Sequence, residues 1–335
     1  MAQPTTRPWP HRHLLGLEGL PRDDIRTLLD AADDFVPYAQ GRQPAPQTLQ
    51  GGTVLNLILE DSTRTRTSFT LAAERLGGRV IQFHAASSSM KEKGETLVDT
   101  ARNIEAMGLD AIVIRHKDRG APHRVAEAVR CSVLNAGDDA HEHPTQALLD
   151  LLTLRHHFGR LDGLTVAVCG DVRHSRVARS NLYGLAALGS RAIFVGPEAF
   201  LDGLDDLAVP TETATDFDAV LPACDAVMML RVQFERHTGL AFDRDGYVRR
   251  YQLTAQRLAR AKVGAPVLHP GPVNRGLELT DEVADGPQSL ILHQVTCGVA
   301  VRMAALTLCI AAADRQRDTP TTRPDKPAGP HRSRS

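Results

Sequence analysis

Short apolar runs alternate along this chain with stretches whose apolar residues recur at helical spacing. Thr53-Val54-Leu55-Asn56-Leu57-Ile58-Leu59 reads as a buried strand; a helical pattern, Leu71-Ala72-Ala73-Glu74-Arg75-Leu76, follows and stops at Gly77-Gly78. Further strands are predicted over 79–83 and 110–115, and a short one over 132–135. Between them Leu97, Val98, Ala101, Ile104 and Met107 share one face of a helix predicted over 95–107. A longer helix is predicted over 144–158, with Pro144 in the first turn, where its missing N–H costs nothing. A second run of the same kind follows, with strands over 164–169, 192–195 and 225–230 and a helix over 177–188. The segment 289–313 reads as an apolar helix that packs back onto the first half.

This β–α–β rhythm predicts an α/β fold of two domains, each a parallel sheet covered by helices, with an active site in the cleft between them. A length of 335 residues fits two domains. The expected division is 1–150, completed by the helix at 289–313, then 151–288, with the helix over 144–158 as the crossing. Residues 315–335, rich in Pro, Arg, Asp and Thr, read as a disordered tail.

Composition narrows the class. Apolar residues make up 42% of the chain and the formal net charge is −1, which argues against a general nucleic-acid binder. The N-terminus has no apolar signal core, and no uninterrupted apolar run is long enough for a bilayer, so no membrane partner and a cytoplasmic location are expected. Cys131, Cys169, Cys224, Cys297 and Cys309 are scattered, odd in number and without a Cys-x-x-Cys pair. They read as buried free thiols in a reducing compartment, and no zinc site is expected.

The candidate chemistry sits at strand ends, where open α/β sheets bind ligands. The first strand runs into Ser62-Thr63-Arg64-Thr65 at a helix start. There, unpaired backbone N–H groups, hydroxyls and a guanidinium make an anion cradle. An N-cap with a solvated basic face is the alternative reading of the same residues. Arg115-His116 ends the third strand, and His143-Pro144-Thr145-Gln146 follows the fourth. In the second half, Asp171 to Arg176, Arg231-Val232-Gln233 and His269-Pro270-Gly271-Pro272 occupy corresponding positions. So many cations and amides at strand ends predict ligands with several negative charges. Gly170-Asp171 does not open a dinucleotide site, because Gly-x-Gly-x-x-Gly is absent.

Four of these motifs, Ser62-Thr63-Arg64-Thr65-Arg66, His143-Pro144-Thr145-Gln146, Arg231-Val232-Gln233 and His269-Pro270-Gly271-Pro272, together with Lys93-Gly94-Glu95-Thr96 in a polar segment that reads as a mobile loop, resemble in order the aspartate carbamoyltransferase catalytic-chain family over about 50–305. The resemblance implies transfer of the carbamoyl group from carbamoyl phosphate to the amine of L-aspartate, a step of pyrimidine biosynthesis. It also implies a homotrimer with shared active sites, and allows a regulatory chain or a dihydroorotase as further partners. No metal and no organic cofactor is required by that chemistry.

By the same resemblance Ser62, Thr63, Arg64 and Thr65 hold the phosphate, and Arg115 bridges phosphate and carbonyl oxygen. His143 donates to that oxygen, Gln146 orients the carbamoyl amine, and Pro270 and Gly271 accept from nitrogen groups. Ser89 and Lys93 match loop residues that reach a neighbouring subunit's site, and Arg176, Arg231 and Gln233 match positions that bind aspartate. The catalytic set is Arg64, Thr65, Lys93, Arg115 and His143.

The chain departs from the family at Ile58-Leu59, where aromatics are frequent, and at Cys297, where Asn is common. Ornithine carbamoyltransferases share the cradle and the His-Pro-x-Gln segment, but the late His269-Pro270-Gly271-Pro272 loop lacks their Cys. Arg231 and Gln233 also suit a dicarboxylate better than a cationic acceptor. A non-catalytic assembly subunit is the other rival; the retention of Arg64, Lys93, Arg115, His143, Arg176 and Arg231 argues against it.

Overall fold

The computed structural model describes residues 8–84, 93–204, 206–233 and 243–318. Two parallel sheets form its frame. The first contains β1 (Thr53–Ile58), β2 (Arg79–Gln82), β3 (Ala111–His116) and β4 (Ser132–Asp138) in the order β2-β1-β3-β4. The second contains β5 (Thr165–Cys169), β6 (Arg191–Val195), β7 (Glu212–Ala214), β8 (Ala226–Met229) and β9 (Val267–Leu268) in the order β7-β6-β5-β8-β9. Every strand pair is parallel. Val54 to Ile58 are all buried, as expected of a parallel strand covered on both faces, and this is why the sequence there shows no alternation.

The covering helices are α1 (Arg22–Phe35), α2 (Thr63–Arg75), α3 (Leu97–Glu105), α4 (Ala121–Ala128), α5 (Pro144–Phe158), α6 (Arg176–Ala187), α7 (Arg244–Tyr251) and α8 (Ile291–Asp318). Every residue from Pro144 to Leu154 of α5 is buried, because the helix lies against α6, α8 and β4. Helix α8 also packs along α1 and α2. One apolar core therefore runs continuously from Ile25 and Leu28 of α1, through Leu148 and Leu152, to Leu182 and Leu306.

Several sequence-based bounds shift. The helix expected over 95–107 is shorter, because Thr96 caps it, its hydroxyl accepting from the Asp99 N–H at 3.1 Å. Strand β4 continues to Asp138, which pairs with His116 past a register shift. The expected tail at 315–335 is corrected at its start. Helix α8 runs on to Asp318, held by the buried Ala312 and Ala313 and by Arg315, which donates to the Trp9 carbonyl at 2.6 Å. Residues 319–335 lie outside the described residues. Helix α8 has the length and composition of a membrane span, with Arg302 interrupting its apolar run; 67% of its most apolar window is buried inside the protein, as for a core helix. All five cysteines are buried and free.

Candidate active site

In both sheets the chain order reverses beside a central strand, at β1/β3 and at β5/β8, and crevices open there at the carboxyl ends. The two crevices face one another. Together they form a cavity of about 670 Å³ lined by Glu60 to Thr65, Arg115, His143, Gln146, His174 to Val177, Arg231, Gln233 and the loop from His269 to Pro272. Predicted strand-end residues from both halves thus share one space, though His116 and Asp171 to Arg173 do not line it.

The cradle forms the first turn of α2. Ser62 is the extended N-cap residue, and its hydroxyl makes no capping bond. The leading N–H groups of α2 point beyond the helix end, where the dipole concentrates positive charge. Thr65 is buried, and its hydroxyl stands 3.5 Å from Arg115 Nη1. Arg64 lies over Gly271. That glycine has φ +66°, and a Cβ there would stand 3.2 Å from the Arg64 guanidinium carbon, so the left-handed backbone and the close approach both favour glycine.

Arg115 at the end of β3 donates Nε to Glu60 Oε2 at 2.9 Å, and the same oxygen accepts from Arg176 Nη2 at 2.8 Å. Glu60 therefore ties the first sheet to the first turn of α6. Burial, with Arg176 nearby, pulls Arg115 down to about 10 against the raising influence of Glu60. At neutral pH it remains a cation. Arg64 is lowered by burial and by Arg231 in the same way. Nη1 of Arg176 is buried with no partner among the described residues. Close by, Gln233 Nε2 donates to the His174 carbonyl at 2.8 Å, which anchors it at the mouth of β8.

His143 precedes α5, its backbone N–H donating to Ser180 Oγ at 2.9 Å. Burial, then the charges of Arg115, Arg302 and Arg176, hold its imidazole well below the usual histidine range, so it is neutral. Gln146, in the next turn, donates to Asp150 Oδ1 at 3.0 Å. Asp150 is fully buried and also accepts from Gln294 at 2.7 Å and Asn181 at 2.8 Å. Burial pushes its carboxyl up to about 7. Gln294 Oε1 in turn accepts the His269 N–H at 2.9 Å, and His269 Nδ1 accepts from the Gly271 N–H at 2.8 Å. One buried chain of hydrogen bonds thus runs from Gln146 to the Gly271 loop.

Of the predicted site residues, Ser62, Thr63, Arg64, Thr65, Arg115, His143, Gln146, Arg176, Arg231, Gln233, Pro270 and Gly271 line the cavity. Lys93 is exposed and does not line it. Ser89 lies outside the described residues. The sequence reading did not single out Glu60, Asp150, Gln294 or Arg302 as site residues. Asp150 and Arg302 left a signal, each a lone charge within an apolar helical run. Arg302 lines the cavity over the Phe69 ring, and burial lowers it to about 10.

Comparison with known proteins agrees with this layout. The carbamoyl-P binding domain of the aspartate/ornithine carbamoyltransferases matches residues 12–156, and their Asp/Orn binding domain matches residues 162–309. The chain is 54% identical over 303 residues to the aspartate carbamoyltransferase catalytic subunit of Myxococcus xanthus, covering 90% of this chain and 100% of that protein. It is 53% identical over 308 residues to that of Methylorubrum extorquens strain PA1, covering 91% and 97%. Aspartate transcarbamoylase from Trypanosoma cruzi, solved with carbamoyl aspartate and phosphate, superposes with a TM-score of 0.79 at 31% identity, covering 91% of this chain and 99% of that one. Ornithine carbamoyltransferase from Pyrococcus furiosus gives 0.79 at 27% identity, covering 90% and 98%. Both sheets, their order along the chain and the crevice between them are accounted for by one lineage, and the chain belongs to the aspartate/ornithine carbamoyltransferase family.

Proposed function

We propose that this chain transfers the carbamoyl group of carbamoyl phosphate to the amine of L-aspartate, giving N-carbamoyl-L-aspartate and phosphate. The observation that carries this reading is the convergence of Arg64, Arg115, Arg176, Arg231 and Arg302 on one cavity whose carboxylates, among the described residues, are Glu60 and Asp61. Such a surplus suits two anionic substrates held side by side, and a bare cavity with that charge is electrostatically costly without them.

The roles follow from position. The helix start at Ser62 to Thr65 takes the phosphate, with Arg64 forked onto its oxygens. Thr65, Arg115 and the neutral His143 direct N–H and O–H groups at the carbamoyl oxygen. Gln146, aimed by Asp150, and the carbonyls of Pro270 and Gly271 take the carbamoyl nitrogen. Arg176, Arg231 and Gln233 take the aspartate carboxylates. The amine then attacks the carbamoyl carbon, and negative charge gathers on its oxygen in the tetrahedral intermediate. A preformed donor aimed there contributes about 3 kcal/mol. Collapse breaks the bond to phosphate, which leaves with the electron pair and accepts the amine proton. Holding the two anions together against their repulsion supplies much of the remaining rate.

The division of labour places 1–150, with the helix over 289–313, as the carbamoyl-phosphate unit and 151–288 as the aspartate unit. Lys93, exposed and outside the lining of its own cavity, and Ser89 serve the site of a neighbouring copy in a homotrimer. The buried, unpaired thiols suit a reducing cytoplasm. Product formation by the purified chain, with aspartate and separately with ornithine, tests the reading. Carbamoyl-aspartate is the expected product; turnover with ornithine alone overturns the roles of Arg231 and Gln233.

A further inference from the structure

In the last turn of α5 and the facing turn of α8, three donor groups outside the cavity lining converge. His293 and Cys297 stand four residues apart on α8 and therefore share a face. His156, in the last turn of α5, lies opposite them. Its Nδ1 is 2.9 Å from His293 Nε2, and Cys297 Sγ is 3.8 Å from His156 Nδ1 and 3.6 Å from His293 Nε2. All three donor atoms lie within 4.8 Å of one another. We propose that His156, His293 and Cys297 form a binding site for zinc or a similar thiophilic divalent cation.

Bond lengths support this. Zinc bonds of about 2.0 Å to imidazole nitrogen and about 2.3 Å to thiolate, set tetrahedrally, place donor atoms roughly 3.3–3.7 Å apart. The sulfur–nitrogen distances already match, and the two nitrogens need to part by only a few tenths of an ångström. The outer shell fits as well. The other ring nitrogen of His156, Nε2, is 2.5 Å from Asp33 Oδ1 of α1. A carboxylate there holds the Nε2–H tautomer and leaves Nδ1 bare for the metal, the arrangement that metal-binding histidines commonly show. Sulfur and imidazole donors select zinc, cobalt or nickel over magnesium and calcium. Cys297 is buried while His156 is exposed and His293 intermediate, so the approach is from the histidine side, where water completes the fourth position. Binding displaces the thiol proton to solvent, and the ion then joins α5 to α8, with α1 engaged through Asp33.

The sequence, lacking a Cys-x-x-Cys pair, predicts no zinc site; the two histidines lie 137 residues apart, so no local motif marks them. Cys297 is the same position at which the chain departs from the family's common Asn.

The test is titration of the full, reduced, metal-free chain with Co²⁺, read by absorbance. The expected result is one equivalent bound with a thiolate-to-cobalt charge-transfer band, displaced by Zn²⁺, and a zinc-dependent rise in Tm. Cys297→Ser abolishes the band, and His156→Gln, at an exposed position, removes the zinc-dependent rise. Asp33→Asn weakens binding by about tenfold. Metal-free Tm values for each variant separate loss of the site from loss of the fold. Absence of the band, or a band that survives Cys297→Ser in a folded variant, overturns the proposal.

Discussion

Gln146 is aimed into the cavity by Asp150, one helical turn further along α5, which accepts its side-chain amide at 3.0 Å. The acceptor is buried, and its carboxyl titrates near 7 instead of at its ordinary 3.8. Protonation converts an accepting site into a donor and displaces one of the three amides from Gln146, Gln294 and Asn181. Activity is therefore expected to rise with pH through about 7. Asp150→Asn flattens this limb and lowers kcat by roughly tenfold. His143→Gln keeps the limb, because His143 is already neutral throughout that range. A limb that persists in Asp150→Asn and disappears in His143→Gln would assign the titration to His143 instead.

The same group makes a prediction about stability with the opposite sign. The folded carboxyl keeps its proton up to about 7, whereas the unfolded one loses it near 3.8. Across that window the folded chain binds more protons, so stability falls as pH rises and levels off above it. Urea midpoints at pH 5 and pH 8 should differ more for the native chain than for Asp150→Asn.

Glu60 holds Arg115 and Arg176 through a single oxygen, and with it the two halves of the chain. Glu60→Gln leaves two guanidiniums facing each other and is expected to cost about 2 kcal/mol of stability. Inorganic phosphate should then stabilise the variant more than the native chain, since a bound anion replaces part of the missing charge. Equal phosphate effects on both proteins, read by thermal denaturation, would argue that Glu60 is not the counter-charge.

At the cradle, Arg64→Ala should reduce kcat/KM by about 10³-fold with little change in stability, as for loss of one preorganised donor. Gly271→Ala should act through the same guanidinium: the new Cβ meets it at 3.2 Å on a left-handed backbone. Its expected signature is a raised KM for carbamoyl phosphate, measured at saturating aspartate.

The proposed sharing of sites between neighbouring copies is tested by a mixing experiment. Lys93→Ala and Arg115→Ala chains, each inactive alone, should regain part of the native activity when unfolded together and refolded as mixed trimers. No recovery in demonstrably mixed assemblies would confine each site to one chain.

Much of the cavity's inventory is legible without coordinates. Apolar runs and helical periodicity locate the strand ends, and in a parallel α/β fold strand ends are where ligands bind. Local signals also suffice for α5, whose predicted bounds of 144–158 are those observed, because Pro144 starts it and Gly159, at φ +69°, ends it.

The alternation of strands and helices and the kinds of side chain at their junctions follow from the order of residues, since both depend on hydrogen bonds and periodicities spanning a few residues. Tertiary structure alone decided which junctions meet. The strand orders β2-β1-β3-β4 and β7-β6-β5-β8-β9 carry Glu60 to Arg115 and Arg176, 55 and 116 residues away, and α8 carries Gln294 to Asp150 across 144 residues. It also brought His156 to His293 and Cys297. Such pairings depend on how whole faces of helices and sheets bury one another, and no short stretch of sequence records that geometry.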